Sequence, residues 1–348
     1  MDGYFFSRVL GIIVSCPIKI GRELKKMGRE PLSLLKANYR NREMGMNRRA
    51  FMGLTAASLV TAGQGRVEAT LLGTKVANGS LASEGLAVRF LGTGAADWKG
   101  KDERGELRRL SSILVDRWVL VDFTPTDADM VPEGCQPEVI FYTHSHGDHY
   151  HPEAALKLGV KQVYLSHTWY DIAKAGFAKA AKSLNLPVPT ITPLYVGQPV
   201  TLGDLTFTPL PANHATGHLF EQTLIYLIEK QQARVLYATD TGGLPAAATR
   251  MIGIDAHEKG KPITGLIMEA TMGMEHDIDF RIFTHTSVGQ VARTVQVLTQ
   301  TKRYLPPVGQ PVYITHLART LHGTQAELDT HLPEPLRAAY DGLEVIFQ

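Results

Sequence analysis

Between positions 143 and 149 the chain reads Thr143-His144-Ser145-His146-Gly147-Asp148-His149, which puts four metal-ligating side chains within six positions. Imidazole and carboxylate together are common donors for zinc, manganese and similar divalent ions. His144 and His146 lie two apart at the end of an apolar run, so extended backbone lets both face one ion. Asp148 and His149 follow Gly147, a residue suited to a bend beside the ions, and can face a second. Three further donors each close an apolar run: His214 in Pro211-Ala212-Asn213-His214, Asp240 in Tyr237-Ala238-Thr239-Asp240, and His316 in Tyr313-Ile314-Thr315-His316. Taken singly, each could be a hydrogen-bonded histidine or a helix-capping aspartate. Their recurrence at successive run ends points instead to an open metal site.

A second group of residues could act on a substrate. Glu269-Ala270-Thr271 ends an apolar run, and Phe283-Thr284-His285-Thr286-Ser287 is expected to open a helix. A carboxylate paired with His285 can hold a protonated imidazole, which suits charge stabilisation or protonation of a leaving oxygen. At a helix start His285 would also find a phosphate near free backbone N–H groups. Arg108 and Arg109 precede a strand and could contact that phosphate or form a solvated charge pair. Asp122 closes the run Val119-Leu120-Val121, either as part of the site or as a plain turn former.

The elements that must position these residues can be read from periodicity. Strands are expected at 86–91, 112–115, 118–123, 139–142, 162–165, 200–202, 205–210, 223–228, 234–238, 264–268, 312–314 and 343–347. Asp116-Arg117 reads as a hairpin turn. Helical spacing covers 169–184 and 287–298, and a last helix is expected over 327–340. Residues 343–348 fit a native edge strand or an appended tail equally well. Strands arranged first in hairpins and later interleaved with helices suggest sheets packed together with helices outside.

The net charge of +2 over 348 residues is too small to argue for a nucleic-acid partner. With Cys16 and Cys135 the only cysteines, neither a disulfide framework nor a Cys-rich zinc module is available. Asn47-Arg48-Arg49-Ala50-Phe51-Met52 precedes an uncharged stretch over 53–63, the layout of a twin-arginine export signal. That run is too short to cross a bilayer as a stable helix, and Ala62 or Ala69 would suit cleavage. Residues 1–69 are therefore expected to be a leader outside the fold, with the twin-arginine machinery as a partner and a periplasmic or otherwise exported protein as the result. Met44 and Met46 lie close to the arginine pair, so residues 1–45 read as a mis-assigned start or a long basic leader. Ile13-Val14-Ser15-Cys16 loosely resembles a lipid-attachment box, but the arginine pair is the stronger signal.

The His-x-His-x-Asp-His cluster, followed by a separate His, Asp and His in that order, resembles the metallo-β-lactamase superfamily over 86–347. The resemblance implies an α+β fold, a four-layer αββα sandwich over 85–348, with two divalent ions (zinc or manganese) along one sheet edge. It implies that His144, His146 and His214 hold one ion, that Asp148, His149 and His316 hold the other, and that Asp240 bridges them, with Asp122 supporting the site. Glu269-Ala270-Thr271 with His285 is similar to the ribonuclease Z family. Leu91-Gly92-Thr93-Gly94 and Thr239-Asp240-Thr241-Gly242-Gly243 look more like the phosphoribosyl cyclic phosphate phosphodiesterases. No basic arm for gripping tRNA is present, and there are too few cysteines for an additional structural zinc site.

Two divalent ions offset by Asp148, Asp240 and a bridging hydroxide would leave roughly +1, which suits an anionic phosphodiester. The leading expectation is therefore hydrolysis of a small or cyclic phosphodiester, with His285, Glu269 and Asp148 as catalytic residues and a homodimer as one assembly. An exported lactonase or β-lactamase, and a non-catalytic binding protein of the same fold, stay open as alternatives.

Overall fold

The computed structural model describes residues 85–255 and 260–348, so the leader and its arginine pair lie outside the described residues. Among the described residues, fourteen strands form two seven-stranded sheets. The first contains β1 (Leu86–Gly92), β2 (Ser112–Val115), β3 (Val119–Val121), β4 (Val139–Phe141), β5 (Gln162–Ser166), β6 (Thr190–Leu194) and β14 (Glu344–Phe347), in the order β14-β1-β2-β3-β4-β5-β6. The second contains β7 (Val200–Leu202), β8 (Leu205–Pro211), β9 (Leu224–Lys230), β10 (Ala233–Ala238), β11 (Gly265–Glu269), β12 (Val312–Thr315) and β13 (Leu336–Ala338), in the order β13-β12-β11-β10-β9-β8-β7.

Alternation along each strand explains the layers. Val88, Ile113, Val121, Phe141, Phe207, Tyr226, Val235 and Ile267 meet in one core between the sheets. Their neighbours Leu114, Leu120 and Ile140 pack outward against α1 (Pro152–Leu158) and α2 (Tyr170–Leu184). Leu236, Leu266 and Met268 pack outward against α3 (Ala246–Met251), α4 (Val288–Gln300) and α5 (Gln325–His331). Strands covered on both faces read as unbroken apolar runs rather than alternating ones. The architecture is the expected αββα sandwich.

Ring stacking ties the two sheets close to the histidine cluster. Phe141 of β4 stacks on Phe207 of β8, with centroids 4.3 Å apart. Tyr226 Oη donates to the Tyr142 carbonyl at 2.6 Å, and the Leu224 N–H to the Thr143 carbonyl at 2.9 Å. The peptide leading into the cluster is thus held from the opposite sheet.

Some boundaries differ from the sequence expectation. Instead of one helix over 327–340, α5 ends at His331 and β13 begins at Leu336. Pro333 and Pro335 remove two helical donors there and force the chain to extend. The strand β6 and the short helices α1 and α3 carry too few residues to show a period. Residues 343–348 are part of the fold: β14 pairs with β1, and the Phe347 side chain is fully buried. Among the described residues no helix is long and apolar enough to cross a membrane.

Candidate metal centre

Parallel pairing sends β3 and β4 in one direction, and β10, β11 and β12 likewise. The chemistry-bearing residues follow the C-terminal ends of these strands: Asp122 after β3, the histidine cluster after β4, Asp240 after β10, Glu269 ending β11, and His316 after β12. Asp122, Asp240 and His316 all take positive φ (59°, 47° and 55°). That region costs an L-residue about 1 kcal/mol, and such outliers gather where a side chain must be aimed rather than let the strand continue.

Three nitrogens converge first. His144 Nε2 lies 3.0 Å from His146 Nδ1, which lies 3.1 Å from His214 Nε2. A second group sits beside them, with Asp148 Oδ2 3.3 Å from His149 Nε2 and 3.5 Å from His316 Nε2. Asp240 spans both groups. Its Oδ2 is 2.9 Å from His149 Nε2 and 3.2 Å from His316 Nε2, while Oδ1 is 3.8 Å from His214 Nε2. The structure therefore brings all seven sequence-derived candidates together, with Asp240 near both groups.

The other nitrogen of most of these rings is committed elsewhere. His149 Nδ1 meets Asp122 Oδ2 at 2.8 Å, and His144 Nδ1 meets Thr143 Oγ1 at 2.9 Å. His316 Nδ1 meets Thr271 Oγ1 at 2.7 Å, and His214 Nδ1 meets the Thr284 carbonyl at 3.1 Å. Each such bond places the ring proton on Nδ1 and leaves the Nε2 lone pair aimed at the centre. The Nε2 atoms of His149 and His316 are buried, lie near carboxylate oxygens, and make no hydrogen bond with the described residues. Lone pairs facing carboxylates at this range repel unless a cation sits among them. The donor set thus fits divalent ions: imidazole plus carboxylate, buried and orphaned on the inward side.

The electrostatics agree. Burial pushes the His149 imidazole down, but the charges of Asp240, Asp148 and Asp122 outweigh it and hold the group well above the ordinary range. A proton there answers the same anionic field that a metal ion would. Burial would raise Asp148 and Asp240, yet the surrounding histidines hold both carboxyls below the usual range. His144 is driven down by burial, then by the charge of His149, and stays a neutral donor.

Glu269 and His285 form a pair at the edge of this centre. His285 Nδ1 lies 3.3 and 3.2 Å from the two oxygens of Glu269, whose side chain is fully buried. Glu269 also accepts the Thr241 N–H at 2.5 Å, beside Asp240, and the Thr271 hydroxyl. Burial alone would lower the His285 imidazole, but Glu269 and then Asp240 and Asp148 raise it to about 9. Its ring stacks on His316 with centroids 5.7 Å apart.

His285 does not open a helix. It precedes α4, whose N-cap, Ser287, satisfies the Gln290 N–H through a capping box, and the Val288 N–H goes to the Met272 carbonyl. The expected use of free helix N–H groups is therefore not what the fold provides. The segment is fixed instead by Gly242, where an added Cβ would lie 2.5 Å from the Phe283 carbonyl carbon. Gly147, in contrast, has no positive φ, and a Cβ there would meet open space. The bend comes from the His149 and Tyr150 N–H groups returning to the His146 carbonyl.

Arg108 and Arg109 do not face a substrate. Arg108 is buried and donates to Thr93 Oγ1, the Ala339 carbonyl and Gln325 Oε1 at 2.7–2.8 Å. Arg109 is clamped by Asp129 at 2.8 and 2.5 Å. Both hold the fold, because their partners come from segments remote in sequence.

Sequence reasoning passed over Thr271 and Glu221. Glu221 accepts the Ser145 N–H at 2.8 Å and the Ser145 hydroxyl at 2.6 Å, pinning the middle of the histidine cluster. Thr271 enters there only as part of the Glu269-Ala270-Thr271 motif, with no role of its own, and no local pattern marks Glu221.

Residues 117–306 match the model of a β-lactamase superfamily domain, more than half of the chain. The chain belongs to the β-lactamase superfamily. Among solved structures, it is similar to the metallo-β-lactamase fold protein YhfI of Bacillus subtilis, at 15% identity over 75% of this chain and 99% of that one, with a TM-score of 0.53. It is similar to zinc-bound PqqB of Methylobacterium extorquens at 17% identity over 74% and 99%, with a TM-score of 0.52. Human tRNase Z, short form, gives 14% identity over 75% and 99%, with a TM-score of 0.52. At such identities these likenesses show the fold alone. No curated protein matches the chain. The chain has the metallo-β-lactamase fold of a hydrolase family, and its clustered His and Asp donors are able to hold metal.

Proposed function

We propose that this β-lactamase superfamily member hydrolyses a small or cyclic phosphodiester at a dinuclear centre. His144, His146 and His214 would hold one ion, Asp148, His149 and His316 the other, and Asp240 would lie between them. When bound, zinc or manganese would supply Lewis-acid polarisation of the phosphoryl group and lower the pKa of water. The observation that carries the reading is the His285–Glu269 pair: an imidazole raised to about 9, beside the centre and part-exposed. Protonated, His285 keeps one proton on Nδ1 towards Glu269. Its Nε2, which has no hydrogen bond among the described residues, presents the other to a phosphate oxygen. The same proton passes to the departing alkoxide, the poor leaving group that makes diesters slow to hydrolyse. Glu269 orients the ring, and Asp240 and Asp148 add negative charge that favours the protonated form of His285. A small exported substrate also accords with the periplasmic location proposed from Arg48-Arg49.

The test is hydrolysis of bis-p-nitrophenyl phosphate compared with lactone and β-lactam substrates, in protein with measured metal content. Diester turnover is expected to exceed acyl turnover and to fall by roughly 10²–10⁴ in His285→Ala with metal retained. Undiminished activity in that variant would sink the role given to His285. Absence of any turnover at full metal loading would favour a binding protein of the same fold.

A further inference from the structure

Five large apolar side chains, Leu219, Phe220, Ile278, Phe280 and Phe283, are each at least 77% exposed. Among the described residues, Val308 is the only other large apolar side chain exposed to that degree. The five lie on two loops, and both loops are anchored in the metal centre. The first begins at His214 and ends at Glu221, the residue that grips Ser145. The second is closed at its neck by the Met272–Ser287 bridge and carries His285 two residues beyond Phe283. They meet where His214 Nδ1 reaches the Thr284 carbonyl, and the His214 and His285 rings are 4.9 Å apart. Soluble proteins seldom leave grouped apolar side chains in water without a partner.

The only permanent cation of the second loop is committed within it, Asp277 is taken by Arg293 of α4 at 2.9 Å, and Glu275 is exposed. Arg281 binds Asp279 through Nε at 2.8 Å and Nη2 at 2.6 Å. The large exposed side chains at the loop surface are aliphatic and aromatic, and the exposed Glu275 carboxylate is unsuited to gripping a second phosphate. We infer that the two loops form an apolar collar that receives a bulky apolar ester group, aryl or alkyl, on the phosphodiester. This rests on the phosphodiesterase reading and names the substrate class within it. Phe283 lies two residues before His285 and Phe220 one before Glu221, so the backbone that carries each is held beside the centre or its support.

The test keeps the leaving group constant and varies only the spectator ester, comparing phenyl p-nitrophenyl phosphate with methyl p-nitrophenyl phosphate. The protein is expected to prefer the phenyl ester in kcat/KM by roughly tenfold or more, the scale set by apolar pocket contacts. The preference should collapse in Phe280→Ser/Phe283→Ser and shrink in Phe220→Ser. Calorimetric binding of diphenyl against dimethyl phosphate should show the same change without any turnover. An unchanged preference in active variants overturns the collar and leaves the phosphodiesterase reading standing. No turnover of either ester by metal-loaded protein overturns both. If the variants instead split a dimer in sedimentation, or lose binding to phosphatidylglycerol vesicles, while the preference holds, a second copy or a bilayer occupies the loops and the collar is overturned.

Discussion

Two buried carboxylates serve the centre from opposite sheets, and they are built alike. Asp122 after β3 accepts the Thr143 hydroxyl, which in turn meets His144 Nδ1. Glu269 at the end of β11 accepts the Thr271 hydroxyl, which in turn meets His316 Nδ1. Each relay fixes a tautomer and aims an Nε2 inward. They differ in the second imidazole each one holds. Asp122 holds His149, a fully buried member of the donor set, whereas Glu269 holds His285, which remains part-exposed and outside the proposed ligands. The same device, closed on one side, would order the proposed metal site. Opened by one ring on the other, it would offer a proton.

The comparison can be broken first at Glu269. In Glu269→Gln the diesterase rate should drop by about 10²–10⁴, the range for losing an oriented acid, while metal content measured by mass spectrometry stays near that of the parent. An equal loss of metal would mean that both carboxylates do the same work. Asp122→Asn should behave in the opposite way, with metal affinity lowered by about 10–100-fold in chelator competition and activity recovered in excess metal.

A smaller effect follows from protonation in metal-free protein. His285 titrates near 9 when folded, against 6.5 for an unperturbed histidine. Because the folded value is raised, its stabilisation is fully present below about 6.5 and is lost as pH rises towards 9. The difference in Tm between metal-free wild type and His285→Gln should shrink across that window, and Glu269→Gln should remove most of the pH dependence. The mildest probe uses glycines. Gly242→Ala pushes on the Phe283 backbone and should disturb the His285 segment first, lowering kcat more than metal affinity. Gly147→Ala meets open space and should change little in either assay.

The donor set was legible because its residues are chemically distinctive and follow strands that read as apolar runs. Asp240 and His316, ambiguous taken singly, stood out because donors recur at successive run ends. Thr143, Thr271 and Glu221 could not, since a hydroxyl or carboxylate gains its role from partners on other strands. Arg108 misled for the same reason: its partners Thr93, Gln325 and Ala339 are scattered along the chain. The closing helix was over-extended because Leu336 and Ala338 continue its apolar spacing, and the prolines at 333 and 335 carried too little weight.

Because the donors stand at the ends of strands from both sheets, neither proposed ion could draw its whole donor set from one short peptide, as a zinc finger does. The pocket exists only once remote segments have closed on one another, a slow and non-local step in folding. Ions are then guests of a finished fold rather than its nucleus, and stripping them should leave an empty but intact β-sandwich ready to be loaded again.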